Sequence, residues 1–414
     1  MPRNLRPTVY RARWILPISS PPIESGWLAI DEHQIVEMGQ SHQSPPSKPV
    51  DLGDVAILPG VVNAHTHLEF SYLTKPIGYT GIKLYDWIGE VVRSRQSVTA
   101  TLRYDAIRLG LQQCYDSGTV LIGDIATTPF PIIQPLNLRS PEVVSMAEVL
   151  GLSPARAEQK LIEANEHRER FSGNRHFQPG VSPHAPYSTP LSVVERCIEL
   201  ANKHDLTVAM HVAESSEERT LLETGCGPFA AKLKELNVLP DGVFPWGGNA
   251  TLNLLNALSL APRSLIIHGN DLSEREIALI ARLSKRRQMT VVYCPRTHAY
   301  FDHAKQKQKQ KQKHPVLKLM AAGIRVALGT DSLASNPDLS LWGEVQWLLS
   351  HRQDITWQSV LEMATISGAE AFSRRDLGRI EIGSSNQLLV LPSDAANIGG
   401  LAESLHRHQP RWLQ

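Results

Sequence analysis

From residue 58 onward the chain repeats one pattern, a short apolar run followed by a longer stretch with apolar positions three and four residues apart. The runs are Gly60 to His65, Thr119 to Asp124, Val143 to Glu148, Gln178 to Ser182, Thr207 to His211, Ser264 to His268, Thr290 to Cys294 and Arg325 to Gly329. Runs this short and apolar suit strands buried on both faces, and the spacing between them suits helices, so the alternation predicts parallel βαβ units. Two of the helices are well marked. Pro190 to Asn202 and Ser273 to Arg287 each begin at a Pro or Ser start signal. Eight strands followed by helices predict a (β/α)8 barrel.

The chain ends have a different texture. Between residues 8 and 57, β-rich runs at Thr8 to Leu16, Gly26 to Ile30, Gln34 to Glu37 and Val55 to Leu58 are separated by Pro, Ser and Gly. That pattern predicts a small antiparallel sheet. Gln387 to Leu391 resembles these runs more than the barrel strands, and is expected to pair with them. One segment fits neither region: residues 305–313 alternate Lys with Gln, placing five lysines in nine positions before the eighth strand. No aromatic residue is interleaved, so it reads as a solvated loop rather than a nucleic-acid clamp.

Composition narrows the class of partner. Hydrophobic content of 42% and charged content of 20% are those of an ordinary globular protein. Lys plus Arg total 42 against 41 for Asp plus Glu, so no global field draws the protein to nucleic acid or to an anionic membrane. A small-molecule substrate is the expected partner, with a homodimer left open. Cys114, Cys197, Cys226 and Cys294 form no Cys-x-x-Cys pair, which disfavours a cysteine zinc site and a disulfide framework and fits a reducing compartment. The apolar stretch Trp14 to Ile18 is too short for a signal peptide or a membrane span. A cytoplasmic location is expected.

The chemistry gathers at the strand ends. In a (β/α)8 barrel the C-terminal ends of the strands converge on one site. Reading the polar residues there gives His65 and His67 after strand one, Glu148 after strand three, His184 after strand four, and His211 and Glu214 after strand five. His268 follows strand six, His298 strand seven and Asp331 strand eight. His65, His67, His211 and Asp331 offer three imidazoles and a carboxylate, a set suited to one divalent transition metal, Zn2+ foremost with Fe2+ as the alternative. Such an ion brings the pKa of a water towards roughly 7, which supplies a nucleophile at neutral pH. Glu214, three residues after His211, is placed for general acid work, and His268 for stabilising charge on the attacking oxygen. Substrate contact is expected of His184 and, more loosely, of Glu148 and His298. His33, His167, His176, His351, His406 and His408 stand in polar or terminal contexts and read as surface residues.

Together these residues resemble the amidohydrolase superfamily, in its branch of aromatic and purine deaminases and related chlorohydrolases. The matching stretches are Pro-Gly-Val-Val-Asn-Ala-His-Thr-His at 59–67, Ser-Pro-His at 182–184, His-Val-Ala-Glu at 211–214, His-Gly at 268–269, Cys-Pro at 294–295 and Gly-Thr-Asp-Ser-Leu-Ala-Ser-Asn at 329–336. The resemblance implies a catalytic barrel at 58–378 and a flanking β-sandwich domain made from 1–57 and 379–414. It implies that His65, His67, His211 and Asp331 hold one metal, that Glu214 shuttles a proton, that His268 orients the attacking hydroxide and that Asp331 also takes the proton from the metal-bound water. His184 is implied as a substrate contact. His-Thr-His-Leu-Glu-Phe-Ser at 65–71 looks like the aminofutalosine deaminases, which would give Glu69 a contact to a purine edge or a sugar hydroxyl. Arg296-Thr297-His298, in place of the commoner x-Ser-Asn after Cys-Pro, departs from that pattern at the substrate end.

The expected activity is therefore hydrolytic deamination of an amino-substituted aromatic ring, best matched by a 6-aminopurine nucleoside. Two alternatives stand beside it: a hydrolase on the same scaffold that removes halide or opens a cyclic amide, and a metal-binding relative without catalysis. The other class of zinc deaminase, marked by His-x-Glu and Pro-Cys-x-x-Cys, is excluded because its signature is missing.

Overall fold

The computed structural model describes residues 7–127, 140–301 and 313–413. Eight parallel strands pair in chain order. They are β1 (Val61–Thr66), β2 (Thr119–Ala126), β3 (Glu142–Val149), β4 (Phe177–Pro183), β5 (Thr207–Val212), β6 (Arg263–His268), β7 (Gln288–Tyr293) and β8 (Arg325–Leu328). Almost every residue in them is buried, as expected for strands covered by helices outside and by side chains within. The ring closes at its C-terminal end: the backbone N–H groups of Thr330 and Asp331 donate to the carbonyl of His65, at 3.1 and 3.0 Å. Closure itself thus sets Asp331 beside the histidine pair. Gly329 permits the approach, since a Cβ there would stand 2.9 Å from the Cβ of His65.

Helices expected at 190–202 and 273–287 run over Leu191–His204 and Glu274–Ser284. The second begins with a full capping box in which Ser273 and Glu276 bond reciprocally. The short helix Ile366–Ala371 touches β1, β6, β7 and β8 together, which a helix lying outside the ring could not do. It covers the barrel floor. Phe372, just after it, packs so closely that a Cβ on Gly123 of β2 would come within 2.6 Å of its ring.

The chain ends form two small sheets rather than one. One has the order Ile35–Gly39, Trp27–Ile30, Thr8–Arg11, Val50–Asp51, and the other Arg411–Trp412, Leu388–Pro392, Val55–Pro59, Trp14–Ile15, Ile23–Glu24. Tyr10, Leu28 and Ile35 from the first share a core with Ile15, Ile57 and Val390 from the second, which is the packing of a sandwich. The sheets are mixed where an antiparallel one was expected: Thr8–Arg11 pairs in parallel with Val50–Asp51, and Trp14–Ile15 with Val55–Pro59. The run read as a single strand, Thr8 to Leu16, breaks because the chain crosses from one sheet to the other at Ala12 and Arg13. There the backbone bonds go to Gly26 and Gly53. Leu388–Pro392 pairs antiparallel with Val55–Pro59. The Lys/Gln repeat at 305–313 lies outside the described residues except for Lys313. Among the described residues, no helix is long and apolar enough to cross a membrane.

Candidate metal centre and active site

The strand ends bring two overlapping donor groups together. His65, His67 and His211 form one, and His65, His268 and Asp331 the other, with the ligand atoms of each group within 4.8 Å of one another. His65 is completely buried, and neither of its ring nitrogens has a hydrogen-bond partner among the described residues. Its Nε2 lies 3.6 Å from Asp331 Oδ1, too far for a hydrogen bond, and His67 Nε2 is 3.8 Å from the same oxygen. The Nε2 atoms of His67 and His211 face each other at 3.3 Å. Imidazole nitrogens and a carboxylate oxygen gathered this closely, with a buried imidazole left unsatisfied, are what a bound cation explains and side-chain packing does not. The residues fit a single transition-metal ion.

The surroundings fix which nitrogen is offered. His211 Nδ1 donates to the carbonyl of His184 at 2.8 Å, which leaves Nε2 as the lone-pair donor. Asp331 accepts the N–H of Ser332 at one oxygen (2.7 Å) and the hydroxyl of Ser335 at the other (3.1 Å). Burial holds the imidazoles neutral, as metal ligands must be. It pulls His65 down to about 3 and His67 and His211 well below the ordinary histidine value, and neighbouring histidines add to each effect.

Glu214 moves the opposite way. Its carboxyl is buried and pushed well above the usual carboxylate range, first by desolvation and then by the nearby charges of Asp331 and Glu218. Glu214 Oε1 is 3.5 Å from His268 Nε2. Three residues at these strand ends, Ala213, His268 and Asp331, have positive φ values of 53°, 70° and 59°. Side chains seldom tolerate that conformation, and here it turns consecutive side chains toward one spot. The carbonyl of His268 is held by His314 Nε2, which donates to it at 2.8 Å.

Above these residues opens a cavity of about 600 Å3. Its base carries His67, Glu148, His184, His211, Glu214, His268 and Asp331. His184 donates or accepts at Ser188 Oγ (2.6 Å), while its Nε2 faces Glu148 Oε1 at 4.0 Å. The outer walls are apolar: Trp87, Ile88 and Val91 come from helix Leu84–Arg95, and Leu236, Val238 and Leu239 from the segment after helix Pro228–Glu235.

Two expected substrate contacts lie elsewhere. Glu69 is in the short 3-10 turn Leu68–Phe70, which directs its carboxylate behind the cavity wall. There Arg95 and Thr127 donate to it, both at 2.7 Å, and Arg103 stands 3.5 Å away. What reaches the cavity is Arg95, held by Glu69. His298 lines a separate cavity of about 150 Å3, which meets the main one at Glu214. His167, read as a surface residue, is buried on the apolar stripe of helix Pro154–Phe171, with Nε2 bonded to the carbonyl of Ser145 at 3.0 Å. Sequence reading missed Arg95, His314 and Glu218. Only Glu218 left a signal, the Ser-x-x-Glu pattern at 215–218.

Comparison with known proteins places the chain in a family and a fold. The model of the amidohydrolase family matches residues 56–405. A 5-methylthioadenosine/S-adenosylhomocysteine deaminase of Nitratidesulfovibrio vulgaris is 27% identical over 400 residues, covering 91% of this chain and 81% of that protein. An aminodeoxyfutalosine deaminase of Nitratiruptor is 27% identical over 361 residues, covering 85% and 82%. The fold superposes on the crystal structure of Helicobacter pylori aminofutalosine deaminase in complex with methylthio-coformycin with a TM-score of 0.79, at 22% identity and 97% coverage of both chains.

Proposed function

From the premise that this chain belongs to the amidohydrolase family, we propose that it is a metal-dependent deaminase that converts a 6-aminopurine nucleoside and water into the 6-oxo nucleoside and ammonia. The observation that carries the reading is Glu214. It is a buried carboxyl pushed well above the usual carboxylate range by desolvation, set beside a three-histidine donor group at the base of a cavity with apolar walls. Deamination of an aromatic ring calls for that pairing, because the ring accepts a nucleophile only once a ring nitrogen is protonated.

His65, His67, His211 and Asp331 would hold the cation, for which zinc suits the nitrogen and oxygen donor set. When bound, such an ion makes a water acidic enough to ionise near neutral pH. Asp331 would accept that water's proton at Oδ1 or Oδ2. Protonated Glu214 would donate from a carboxyl oxygen to the ring nitrogen next to the amino-bearing carbon; the proton held by Asp331 would then pass to the leaving amine, and Glu214 would regain its own from the hydroxyl left on that carbon as the C–N bond breaks. His268 Nε2 would hold the attacking oxygen on the carbon's side of Glu214. Trp87 and Phe70 would flank a flat base and exclude bulk water, while Glu148 and His184 would bind hydroxyl or ring-edge groups of the nucleoside.

Relatives named for methylthioadenosine, S-adenosylhomocysteine and aminodeoxyfutalosine support a nucleoside carrying a 5′ substituent, and the apolar outer walls accommodate one. The test is ammonia release from these three nucleosides and adenosine, with guanine and pterins as controls. Ammonia from at least one 6-aminopurine nucleoside is expected. Turnover of guanine or pterins alone would overturn the substrate class, and turnover of none would overturn the reading.

A further inference from the structure

Glu214 is the third residue after His211, and on a continuing strand it would face away from the cavity that His211 enters, because side chains alternate. The chain reverses that alternation at Ala213, which adopts φ +53°. Alanine in this left-handed region costs about 1–2 kcal/mol relative to its ordinary conformations. Something must hold the turn.

We propose that Glu218 is the positioning residue that aims Glu214 at the substrate. Its carboxylate grips the turn from beneath: Oε1 accepts the N–H of Ala213 at 2.7 Å and Oε2 accepts the N–H of Glu214 at 3.3 Å. Glu218 is almost wholly buried, and its backbone is fixed by Ser215, whose hydroxyl accepts the Glu218 N–H at 3.2 Å as the N-cap of helix Ser216–Thr224. The loop after β6 completes the brace from the other side. Asp271 N–H donates to the Ala213 carbonyl at 2.8 Å, and Asn270 Nδ2 donates to the Glu214 carbonyl at 3.1 Å. Arg219, the next residue in the helix, ties that loop down through Asp271 Oδ2 (2.8 Å) and Glu276 (2.8 and 2.9 Å).

Both backbone N–H groups of the turn therefore end on one carboxylate. Glutamine cannot reproduce this clamp, since it offers a single acceptor oxygen and would turn its NH2 toward the second N–H. In an ordinary capping box the Glu at this position reaches back to the N-cap backbone. Here it reaches one and two residues further back, which redirects a helix-starting device to hold the proton-carrying residue.

The kinetic arm of the test rests on the deaminase reading, and the structural arm does not. Glu218→Gln is expected to lower kcat on the order of tenfold or more with KM within about threefold, to retain one equivalent of metal, and to unfold within a few degrees of the parent. Introducing Ala213→Gly into Glu218→Gln should recover about fivefold of the lost kcat, because glycine enters the left-handed region without the clamp. A role confined to helix stability would give no such recovery. In a crystal structure of Glu218→Gln, residue 213 should leave φ +53° and the Glu214 carboxyl should move away from His268. An unchanged turn in that structure would overturn the proposal even if no substrate were known. Loss of metal together with kcat would also overturn it, by assigning Glu218 to His211 instead.

Discussion

The two ends of the barrel obey opposite rules. At the floor, helix Ile366–Ala371 and Phe372 press apolar groups against the strands, and the fit is close enough to require glycine at 123. At the mouth, three residues adopt the left-handed conformation, an imidazole is buried without a partner, and a carboxyl is held away from its ordinary ionisation range. Neither the strain nor the desolvation at the mouth contributes to stability. The floor and the outer helices offset those costs, and the mouth stores them as orientation. The difference teaches where to expect each kind of mutational effect: activity without stability at one end, stability without activity at the other.

The sharpest way to break this comparison is Glu214→Gln, which removes the transferable proton and keeps the shape. Turnover should fall by about 10²–10⁴-fold, the range typical of a lost general acid, while metal content and thermal midpoint stay close to the parent. A loss of stability as large as the loss of rate would erase the distinction. The reverse case is Phe372→Ala at the floor. It should cost about 3–5 kcal/mol in denaturant unfolding, as large-to-small core changes do, with activity per folded molecule preserved.

Metal removal comes next. An ion bound only by the folded state contributes about 2.7 kcal/mol at a hundredfold excess over its Kd, so chelation should lower the thermal midpoint, and zinc should restore it. His65→Leu sharpens the point. In the chelated state this variant should be as stable as the parent or more so, since it removes a buried imidazole with two unpaired nitrogens, each unsatisfied group costing about 1–3 kcal/mol. It should gain nothing from zinc.

The smallest effect is on acid stability and lies away from both ends. Burial lowers His167 to about 4 in the folded protein, against an ordinary value near 6.5 in the unfolded chain. Between those values the unfolded chain binds a proton that the folded one does not, so this contribution to stability falls as pH drops from 6.5 toward 4. His167→Gln should flatten that limb by about 2 kcal/mol or less between pH 6.5 and pH 5. Urea unfolding at the two pH values measures it. An equally steep limb in the variant would show that other groups set the acid response.

Much of the architecture was legible because the barrel strands are short apolar runs, most of them with a polar residue at or just beyond the C-terminal end. The histidine cluster was legible for the same reason, since position at a strand end is fixed by the period of the chain. Residues whose direction depends on a local turn were not. Glu69 follows His67 by two positions, yet the 3-10 turn at Leu68–Phe70 sends it behind the wall and leaves Arg95, from an inserted helix, to face the cavity. His167 could have been found, because it lies on the same helical stripe as Ala157, Leu161, Ala164 and Phe171. Its polar sequence neighbours hid the stripe. The split of Thr8 to Leu16 into two strands was invisible because changing sheets leaves the alternation of side chains largely intact.

Activity as a function of bound metal tests the central claim most directly. Protein stripped of metal and titrated with zinc in the presence of a 6-aminopurine nucleoside should release ammonia at a rate that rises linearly and levels off at one equivalent. Ammonia release that is indifferent to chelation, or that requires a second equivalent, would contradict the assignment of His65, His67, His211 and Asp331 to a single catalytic ion.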